Sequence, residues 1–275
     1  MVERKDAPAP AEGVVERRLR GKIVGVDGCR GGWLAVSRVP VTANAKQHGA
    51  GQPFVEALGF ATWVSMYATL HDLWRDHHDA EGILIDMPIG LPDARARLIE
   101  PAARRRLPGR ASSVFSIPCR PAVFASSYVQ ACDINQARLG KRLSLQAWYI
   151  CPKIRELDDL LQSNQQAAFV VREAHPELAF ARLRGAPLQF GKKLAAGHSE
   201  RLAILAQQCP VLVDLYAMSL RHWLRREVQA DDMLDAMALL TTLNGDHQAL
   251  LASSSVDGTG LKMNLIMPAC YSSVD

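Results

Sequence analysis

The sequence predicts an α/β fold with a mixed five-stranded sheet, three antiparallel strands followed by parallel strands, and helices on both faces. Two apolar runs, 22–26 and 33–39, flank a glycine-rich turn at 28–32, and this pattern is typical of a β-hairpin. A continuous apolar run at 83–85 is typical of a strand that is buried on both faces. Segments with helical spacing alternate with the later runs, and this order favours helices packed against a sheet.

The first part of the fold is predicted in the order β-β-β-α-β. The third strand is predicted at 53–60, and an amphipathic helix is predicted over 62–77 because apolar residues recur there at helical spacing. Those residues are Trp63, Met66, Tyr67, Leu70, Leu73 and Trp74. The fourth strand, 83–85, stops at Asp86, two residues before Pro88, and a proline disfavours helical backbone at the residue before it.

A large helical insertion is predicted at about 88–166, between the fourth and fifth strands. Within it, Ser144 is a predicted helix cap, and Pro152 is suited to the first position of a helix that runs to about residue 161. The fifth strand is predicted at 168–172. Ser199 with Glu200 then opens one helix, and 211–226 forms another.

A last helix is predicted over 231–244, with Gly245 in the position that glycine favours beyond a helix end. The predicted domain therefore covers 21–250. Residues 1–20 are expected to be a mobile tail, and the Ser- and Gly-containing residues 251–275 are expected to be loosely held.

The composition is that of a globular protein, with 275 residues, 48% hydrophobic and 22% charged. The longest apolar runs, such as 167–171 and 236–240, are far shorter than the roughly 20 residues of a membrane helix. Residues 1–20 lack the apolar segment of a secretory signal. The six cysteines include no C-x-x-C pair, which argues against a zinc module or a dense disulfide framework. A reduced cytoplasmic protein without a membrane partner is expected.

Positive charge is concentrated in one segment, although the whole chain has a net charge of only +4. Residues 93–110 contain six arginines against Asp93 and Glu100, a local net charge of +4. Arg104, Arg105 and Arg106 are the densest part of this segment. The segment is interpreted either as a surface that contacts phosphates or as an ordinary solvated loop and helix face.

Two aspartates follow strands that are expected to be neighbours. A right-handed crossover places the first and fourth strands side by side and parallel. Asp27 and Asp86 then lie about one strand spacing apart, roughly 5 Å, at the carboxyl edge where α/β proteins bind ligands. Two carboxylates this close repel each other unless a cation lies between them, and Mg²⁺ or Mn²⁺ takes oxygen ligands of this kind.

A third acidic ligand is expected from the last helix. Asp232 and Asp235 share a helix face, and the small residues Ala236 and Ala238 suggest that this helix packs closely against the sheet. Asp231 or Asp232 has an alternative interpretation as a helix cap. Asp235 lies in the second turn and has no such alternative.

Taken together, these patterns resemble the RNase H-like nuclease superfamily, and more closely the family catalogued as domain of unknown function 429, which is described as a predicted nuclease with that fold. The matching stretches are 24–28, 30–33, 85–92, 112–115, 153–156, 173–177 and 232–236. The resemblance implies a metal-dependent nuclease acting on RNA or DNA. It assigns the acidic roles to Asp27, Asp86 and the pair Asp232 and Asp235, with Asp27, Asp86 and Asp235 as metal ligands.

Four further residues are candidates for contacts with the substrate. Glu177 is interpreted as an additional ligand or as a helix cap, and His175 as a proton-transfer residue or a packed core histidine. Arg30 and Lys153 could steady a phosphate. The alternative for Lys153 is an ordinary salt bridge to Glu156 or Glu177.

The expected mechanism is in-line displacement at phosphorus with two metal ions about 3.5 to 4 Å apart. One alternative is a nucleotide-binding phosphotransferase or ATPase of the same superfold, but the chain has one Asp-Gly hairpin of that type and is too short for two such domains. The other alternative is a non-catalytic module that binds nucleic acid or protein. Acidic residues at three separate expected places argue against the binding module.

Overall fold

The computed structural model describes residues 11–41 and 52–269. The strands within these residues are β1 (Val15–Glu16), β2 (Ile23–Cys29), β3 (Gly32–Pro40), β4 (Phe54–Ala57), β5 (Phe60–Tyr67), β6 (Gly82–Ile85), β7 (Val171–Glu173), β8 (His247–Ala249), β9 (Ser255–Val256), β10 (Lys262–Met263) and β11 (Ile266–Pro268). The helices there are α1 (Leu70–His77), α2 (Ile99–Arg105), α3 (Arg120–Val123), α4 (Tyr128–Leu139), α5 (Leu145–Ser163), α6 (Gln165–Val170), α7 (Pro176–Arg184), α8 (Ala195–Gln208), α9 (Val211–His222) and α10 (Ala230–Asn244).

The main sheet has the strand order β4-β5-β3-β2-β6-β7 and is mixed, as predicted. The pairs β4–β5, β5–β3 and β3–β2 are antiparallel. In contrast, β6 pairs in parallel with β2, with Val26 opposite Ile85, and β7 pairs in parallel with β6. The predicted pairing of the first hairpin strand with the strand at 83–85 is therefore confirmed. Among the described residues the sheet has six strands, one more than predicted.

The additional strand is β5, and it corrects the helix that was predicted over 62–77. Residues 60–67 are extended and lie between β4 and β3, and the consecutive residues 61–65 are all buried, so both faces of this strand are covered. A strand buried on both faces shows no polar alternation, and its apolar residues were therefore compatible with helical spacing as well. The helix itself begins only after Thr69, whose hydroxyl accepts a hydrogen bond from the Asp72 amide at 3.1 Å.

Helices cover both faces of the sheet, which confirms that part of the prediction. Val26 and Ile85 belong to the core on the face covered by α1 and α5, and Ile23 and Leu84 belong to the core on the face covered by α7 to α10. Gly25 lies where α10 crosses β2, and a Cβ there would overlap the backbone of α10. Only glycine permits this close approach of the two backbones.

The insertion between β6 and β7 is largely helical, as predicted, and it comprises α2 to α6 with a 3-10 turn at Ala111–Ser113. Ser144 caps α5, but Pro152 lies inside that helix rather than at its start. The prediction of a strand over 168–172 is wrong for residues 168–170, which are helical. The side chain of Asn164 accepts a hydrogen bond from the Ala167 amide at 2.9 Å and starts α6, so that β7 is left with three residues.

The residues after 250 are packed, contrary to the expectation of a loosely held segment. Strand β11 pairs with β8, and β9 pairs with β10. The carboxylate of Asp257 accepts hydrogen bonds from the Leu91 amide at 2.9 Å and from Arg120 at 2.6 Å. Arg120 also donates to Asp158 of α5 at 2.9 Å, so one guanidinium joins the segment after β9 to the insertion.

The expectation of a mobile tail over 1–20 falls partly outside the described residues, which begin at 11. Within the described part, β1 pairs with β8, with Val15 opposite Gln248. Residues 270–275 of the predicted C-terminal tail also lie outside the described residues. Across the residues that are described, no helix is both long enough and apolar enough to cross a membrane.

Candidate functional site

A cavity of about 480 Å³ lies at the carboxyl ends of β2 and β6. Four of its lining residues are the aspartates predicted from the sequence, namely Asp27, Asp86, Asp232 and Asp235. The insertion supplies another part of the lining, including Ser113, Phe115, Tyr149 and Lys153. The cavity therefore forms between the sheet edge, the start of α10 and the insertion.

Asp27 and Asp86 are held at the ends of neighbouring strands. Asp27 is in β2 and 7% exposed, and the Asp86 amide donates to the Val26 carbonyl at 3.0 Å, which continues the parallel pairing. Because side chains alternate along a strand, Asp27 lies on the same face of β2 as Ile23, and Asp86 on the same face of β6 as Leu84. Both carboxylates therefore lie on the face that α10 covers.

The electrostatic environment favours a cation near these two carboxylates. Burial raises the pKa of Asp27 well above its usual value, and repulsion from Asp86 and Asp235 raises it further. Burial also raises the pKa of Asp86, which is lowered in part by the nearby His175. Among the described residues, neither Asp27 nor Asp86 forms an ion pair.

Asp235, in contrast, has a cation partner that the sequence did not reveal. Lys192, in the loop between α7 and α8, donates from Nζ to Asp235 Oδ2 at 2.8 Å, and Nζ lies 3.7 Å from Asp231 Oδ2. Burial lowers the pKa of the Lys192 ammonium, but Asp235, Asp27 and Asp86 more than offset this and hold it above its usual value. Lys192 thus places a positive charge within the group of aspartates.

Asp232 has the capping role that was the alternative interpretation. Its carboxylate accepts a hydrogen bond from the Gln229 amide at 2.8 Å, and the side chain of Gln229 completes a capping box at the start of α10. Burial raises the pKa of Asp232 to about 6, with further contributions from Asp231 and Asp235. Asp231 pairs with Lys193 at 3.0 Å. Asp232 still lines the cavity, so its cap does not remove it from the site.

The predicted set of three metal ligands is not assembled. In the ranges 11–41 and 52–269, no group of three or more His, Cys, Asp or Glu side chains is arranged to hold a metal ion. Asp27, Asp86 and Asp235 line one cavity, but Asp235 is paired with Lys192. The chemistry of Asp27 and Asp86 nevertheless fits Mg²⁺ or Mn²⁺, because such ions are commonly held by one or two carboxylates plus water and substrate phosphates. The carboxylates of Asp27 and Asp86, which form no ion pair within the described ranges, offer those ligands.

Lys153 and His175, which were predicted to contact the substrate, both line the cavity. Lys153 Nζ donates to the Gly32 carbonyl at 2.6 Å and lies 4.3 Å from the centre of the Trp33 ring, so the alternative salt bridges to Glu156 or Glu177 are not formed. Burial lowers the pKa of Lys153.

His175 lies beside the insertion. Its Nε2 is 3.3 Å from the Ser113 carbonyl oxygen. Its Nδ1 is buried and has no hydrogen-bond partner among the described residues. This ring nitrogen is therefore a buried polar atom whose hydrogen-bonding capacity the described residues do not use.

Glu177 lines the cavity but is committed to an ion pair. Its carboxylate accepts a hydrogen bond from the buried Arg201 at 2.6 Å, and Arg110 lies 3.6 Å away. Glu177 is in the first turn of α7, where a negative charge is favourable. These contacts favour a structural role over the predicted role as an additional ligand.

The cavity lining does not include the four arginines that were considered as phosphate contacts, Arg30, Arg104, Arg105 and Arg106. Arg104 donates to the Val114 carbonyl at 2.8 Å, and Arg106 pairs with Glu12 at 2.9 Å. Arg30 and Arg105 are exposed. The internal contacts of Arg104 and Arg106 leave Arg105 as the exposed member of the triple arginine.

A second cluster of buried charged residues borders the same cavity, and the sequence analysis did not predict it. Arg97 donates to Glu173 at 2.7 and 2.8 Å and to Glu100 at 2.9 Å. Glu173 also accepts a hydrogen bond from the Ile89 amide at 2.8 Å. The spacing of Arg97 and Glu100 by three residues is a helical signal for that pair, but no local pattern links either residue to Glu173.

Comparison with known proteins identifies the family but gives no activity. A family model described as "Protein of unknown function (DUF429)" matches residues 25–244, which is well over half of the chain. No match was found among curated proteins or among solved structures. The matched range includes all four aspartates of the cavity. The chain belongs to the DUF429 family.

Proposed function

We propose that this protein is a divalent-metal-dependent nuclease with an RNase H-like fold that hydrolyses phosphodiester bonds of nucleic acid. The observation that supports the proposal most strongly is the pair Asp27 and Asp86, a buried and a half-buried carboxylate at the ends of adjacent parallel strands, with no ion-pair partner among the described residues. Burying such groups is costly unless a cation joins them in the working state. The order of β5, β3, β2, β6 and β7 supports the proposed fold.

The roles of the side chains follow from their positions. Asp27 and Asp86 would hold Mg²⁺ or Mn²⁺, which activates water and stabilises the leaving oxygen when it is bound. Lys192, oriented by Asp235, and Lys153, oriented by the Gly32 carbonyl, present positive charge to a substrate phosphate. His175 offers its unpartnered Nδ1 as a site for accepting or donating a proton.

The test is cleavage of a panel of single- and double-stranded RNA and DNA with Mg²⁺ or Mn²⁺. Asp27→Asn and Asp86→Asn should each reduce cleavage to background, because asparagine keeps the shape but removes the charge that binds the ion. Asp133→Asn is the matched control, since Asp133 is an exposed aspartate of α4 outside the cavity. Its cleavage rate should equal that of the wild type.

Melting temperatures measured on the same samples separate loss of chemistry from loss of folding. Well-folded Asp27→Asn and Asp86→Asn variants that cleave as fast as the wild type would show that the metal-carboxylate mechanism is wrong. Calorimetric titration with Mg²⁺, Mn²⁺ and ATP distinguishes the alternatives: tight binding of ATP without cleavage would favour a phosphotransferase or ATPase, and no cleavage of any substrate would favour a binding module.

A further inference from the structure

The cavity changes in character from its inner end to its mouth. Asp27 and Asp235 are 7% and 3% exposed, so the acidic end lies deep. Phe115 and Tyr149 line the same cavity but are 37% and 72% exposed, so these aromatic rings lie towards solvent. A ligand that fills the cavity would therefore meet oxygen ligands at one end and aromatic rings at the other.

The insertion encloses this space. Residues 112–115 and one face of α5, formed by Gln146, Tyr149, Ile150 and Lys153, stand opposite the sheet edge. The resulting volume of about 480 Å³ falls within the range of small-molecule sites, roughly 300 to 1,000 Å³. A specific interface with duplex DNA instead buries about 1,000 to 2,500 Å² of protein surface and is open along the helix.

Aromatic side chains are the usual platforms for nucleic-acid bases. Every base has a π-face, and stacking on Phe or Tyr is strong and tolerant of sequence. In a duplex these faces are covered by neighbouring base pairs, and an enzyme must extrude a nucleotide before a ring can stack on its base. The rings of Phe115 and Tyr149 therefore suit a nucleotide that is already unstacked.

We propose, building on the nuclease function proposed above, that the cavity binds one unstacked nucleotide, with its base on Phe115 and Tyr149 and its phosphate towards Asp27 and Asp86. The substrate is then a single-stranded segment or end, or a free nucleotide, and not the interior of a duplex. Lys153, on the same face of α5 as Tyr149, reaches the hairpin beside Asp27 and matches the negative charge of the phosphate.

Binding tests this proposal without relying on catalysis. Fluorescently labelled hexanucleotides of thymidine and of uridine, thymidine monophosphate and a blunt duplex with G·C ends are titrated with the wild-type protein. The buffer contains Ca²⁺, which takes the same oxygen ligands with looser geometry. A single-stranded hexamer or the mononucleotide should bind at least about tenfold more tightly than the duplex, because the duplex must first be unpaired.

The aromatic rings are tested by substitution. Phe115→Ala and Tyr149→Ala should each weaken binding of the single-stranded hexamers by about 5- to 100-fold. Tyr149→Phe keeps the ring and should bind like the wild type. Phe169→Ala is the matched control, since Phe169 of α6 is 84% exposed and does not line the cavity.

The outcomes separate the two proposals. Equal affinity for duplex and single strand, unchanged affinity in both alanine variants, or no binding of any probe would overturn the single-nucleotide site. Single-strand binding that depends on the rings but without metal-dependent cleavage would support this site and contradict the nuclease. Binding of the hexamers but not of thymidine monophosphate would assign the site to strands rather than to free nucleotides.

Discussion

Two groups of carboxylates border the same cavity, and they differ in whether a cation of the described residues is paired with them. Glu100 and Glu173 share one buried arginine, Arg97, which donates hydrogen bonds to both of them. Asp27 and Asp86 are also withdrawn from bulk water but form no ion pair among the described residues. In the arginine cluster, the charges are balanced by the protein itself. Burial raises the pKa of Glu173 as well as those of Asp27 and Asp86, but Arg97 lowers the pKa of Glu173, whereas repulsion from Asp235 raises those of both aspartates further.

The presence or absence of a paired cation distinguishes carboxylates that stabilise the fold from carboxylates that lower its stability. Removing one partner of a buried ion pair leaves an uncompensated charge and is strongly destabilising. Removing one member of a repelling pair relieves strain instead. Carboxylates that face a cavity without an ion-pair partner among the described residues are therefore candidates for function, whereas carboxylates of the same cavity that share a buried cation are candidates for structure.

The largest expected effect comes from breaking the balanced cluster. Arg97→Met keeps much of the side-chain volume but leaves Glu100 and Glu173 without their cation, and it should lower the free energy of unfolding by about 3 to 5 kcal/mol. Urea denaturation measures this loss, and Arg105→Met, at an exposed position, is the control. A loss of less than about 1 kcal/mol would remove the distinction between the two clusters.

Gly25 permits the close approach of α10, the helix that contributes Asp232 and Asp235 to the cavity, to β2. A Cβ at Gly25 would overlap the backbone of α10, so Gly25→Ala should push this helix from β2 and cost about 1 to 3 kcal/mol of unfolding free energy. Gly191→Ala is the control, since a Cβ there meets only the Arg110 side chain at 3.6 Å. Equal stability of the two variants, measured by denaturant unfolding, would mean that the contact of α10 with β2 is not tight.

Relieving the unbalanced pair should have a smaller effect and the opposite sign. Asp86→Asn, measured without metal, should leave the free energy of unfolding at pH 7 unchanged or raise it by up to about 1 kcal/mol. The folded-state pKa of Asp86 is raised, so wild-type stability falls as pH rises through the interval above the usual carboxyl pKa. The advantage of the variant should therefore be greater at pH 7 than at pH 4. A variant clearly less stable than the wild type at pH 7 would contradict this.

The smallest effect is expected outside both clusters. Because Arg104 and Arg106 bond within the protein, replacing Arg104, Arg105 and Arg106 by Ala should reduce the slope of log affinity for nucleic acid against log salt by about 1 or less, not by about 3. Binding measured between 50 and 200 mM salt tests this. A reduction near 3 would show that all three arginines contact phosphate.

The sequence was informative where local pattern determines structure. The hairpin of β2 and β3 and the buried strand β6 were predictable because glycines mark the turn and a short apolar run marks the strand. The parallel pairing of β2 with β6 was predicted from the handedness of crossover connections. This pairing placed Asp27 and Asp86 at the same edge of the sheet. In contrast, β5 could not be distinguished from a helix, because a strand buried on both faces has no polar alternation.

Long-range charge pairing was not predictable. Lys192 reaches Asp235 across 43 residues, and Arg97 reaches Glu173 across 76. No local sequence pattern around Lys192 or Arg97 indicates the partner, because only tertiary packing brings each pair together. For the same reason the sequence suggested three metal ligands, whereas among the residues that the structure describes Asp27 and Asp86 have no ion-pair partner and Asp235 is paired with Lys192.

The bridge formed by Arg120 affects where the chain can be shortened or fused. The family match ends at residue 244, which would suggest a truncated form ending near residue 250. Such a form would lack Asp257, leave the Leu91 amide without its acceptor and remove one of the two carboxylates that Arg120 joins. Expression designs should therefore retain residues through at least 269, and reporter or affinity fusions placed directly after residue 250 would loosen the insertion that forms one wall of the cavity.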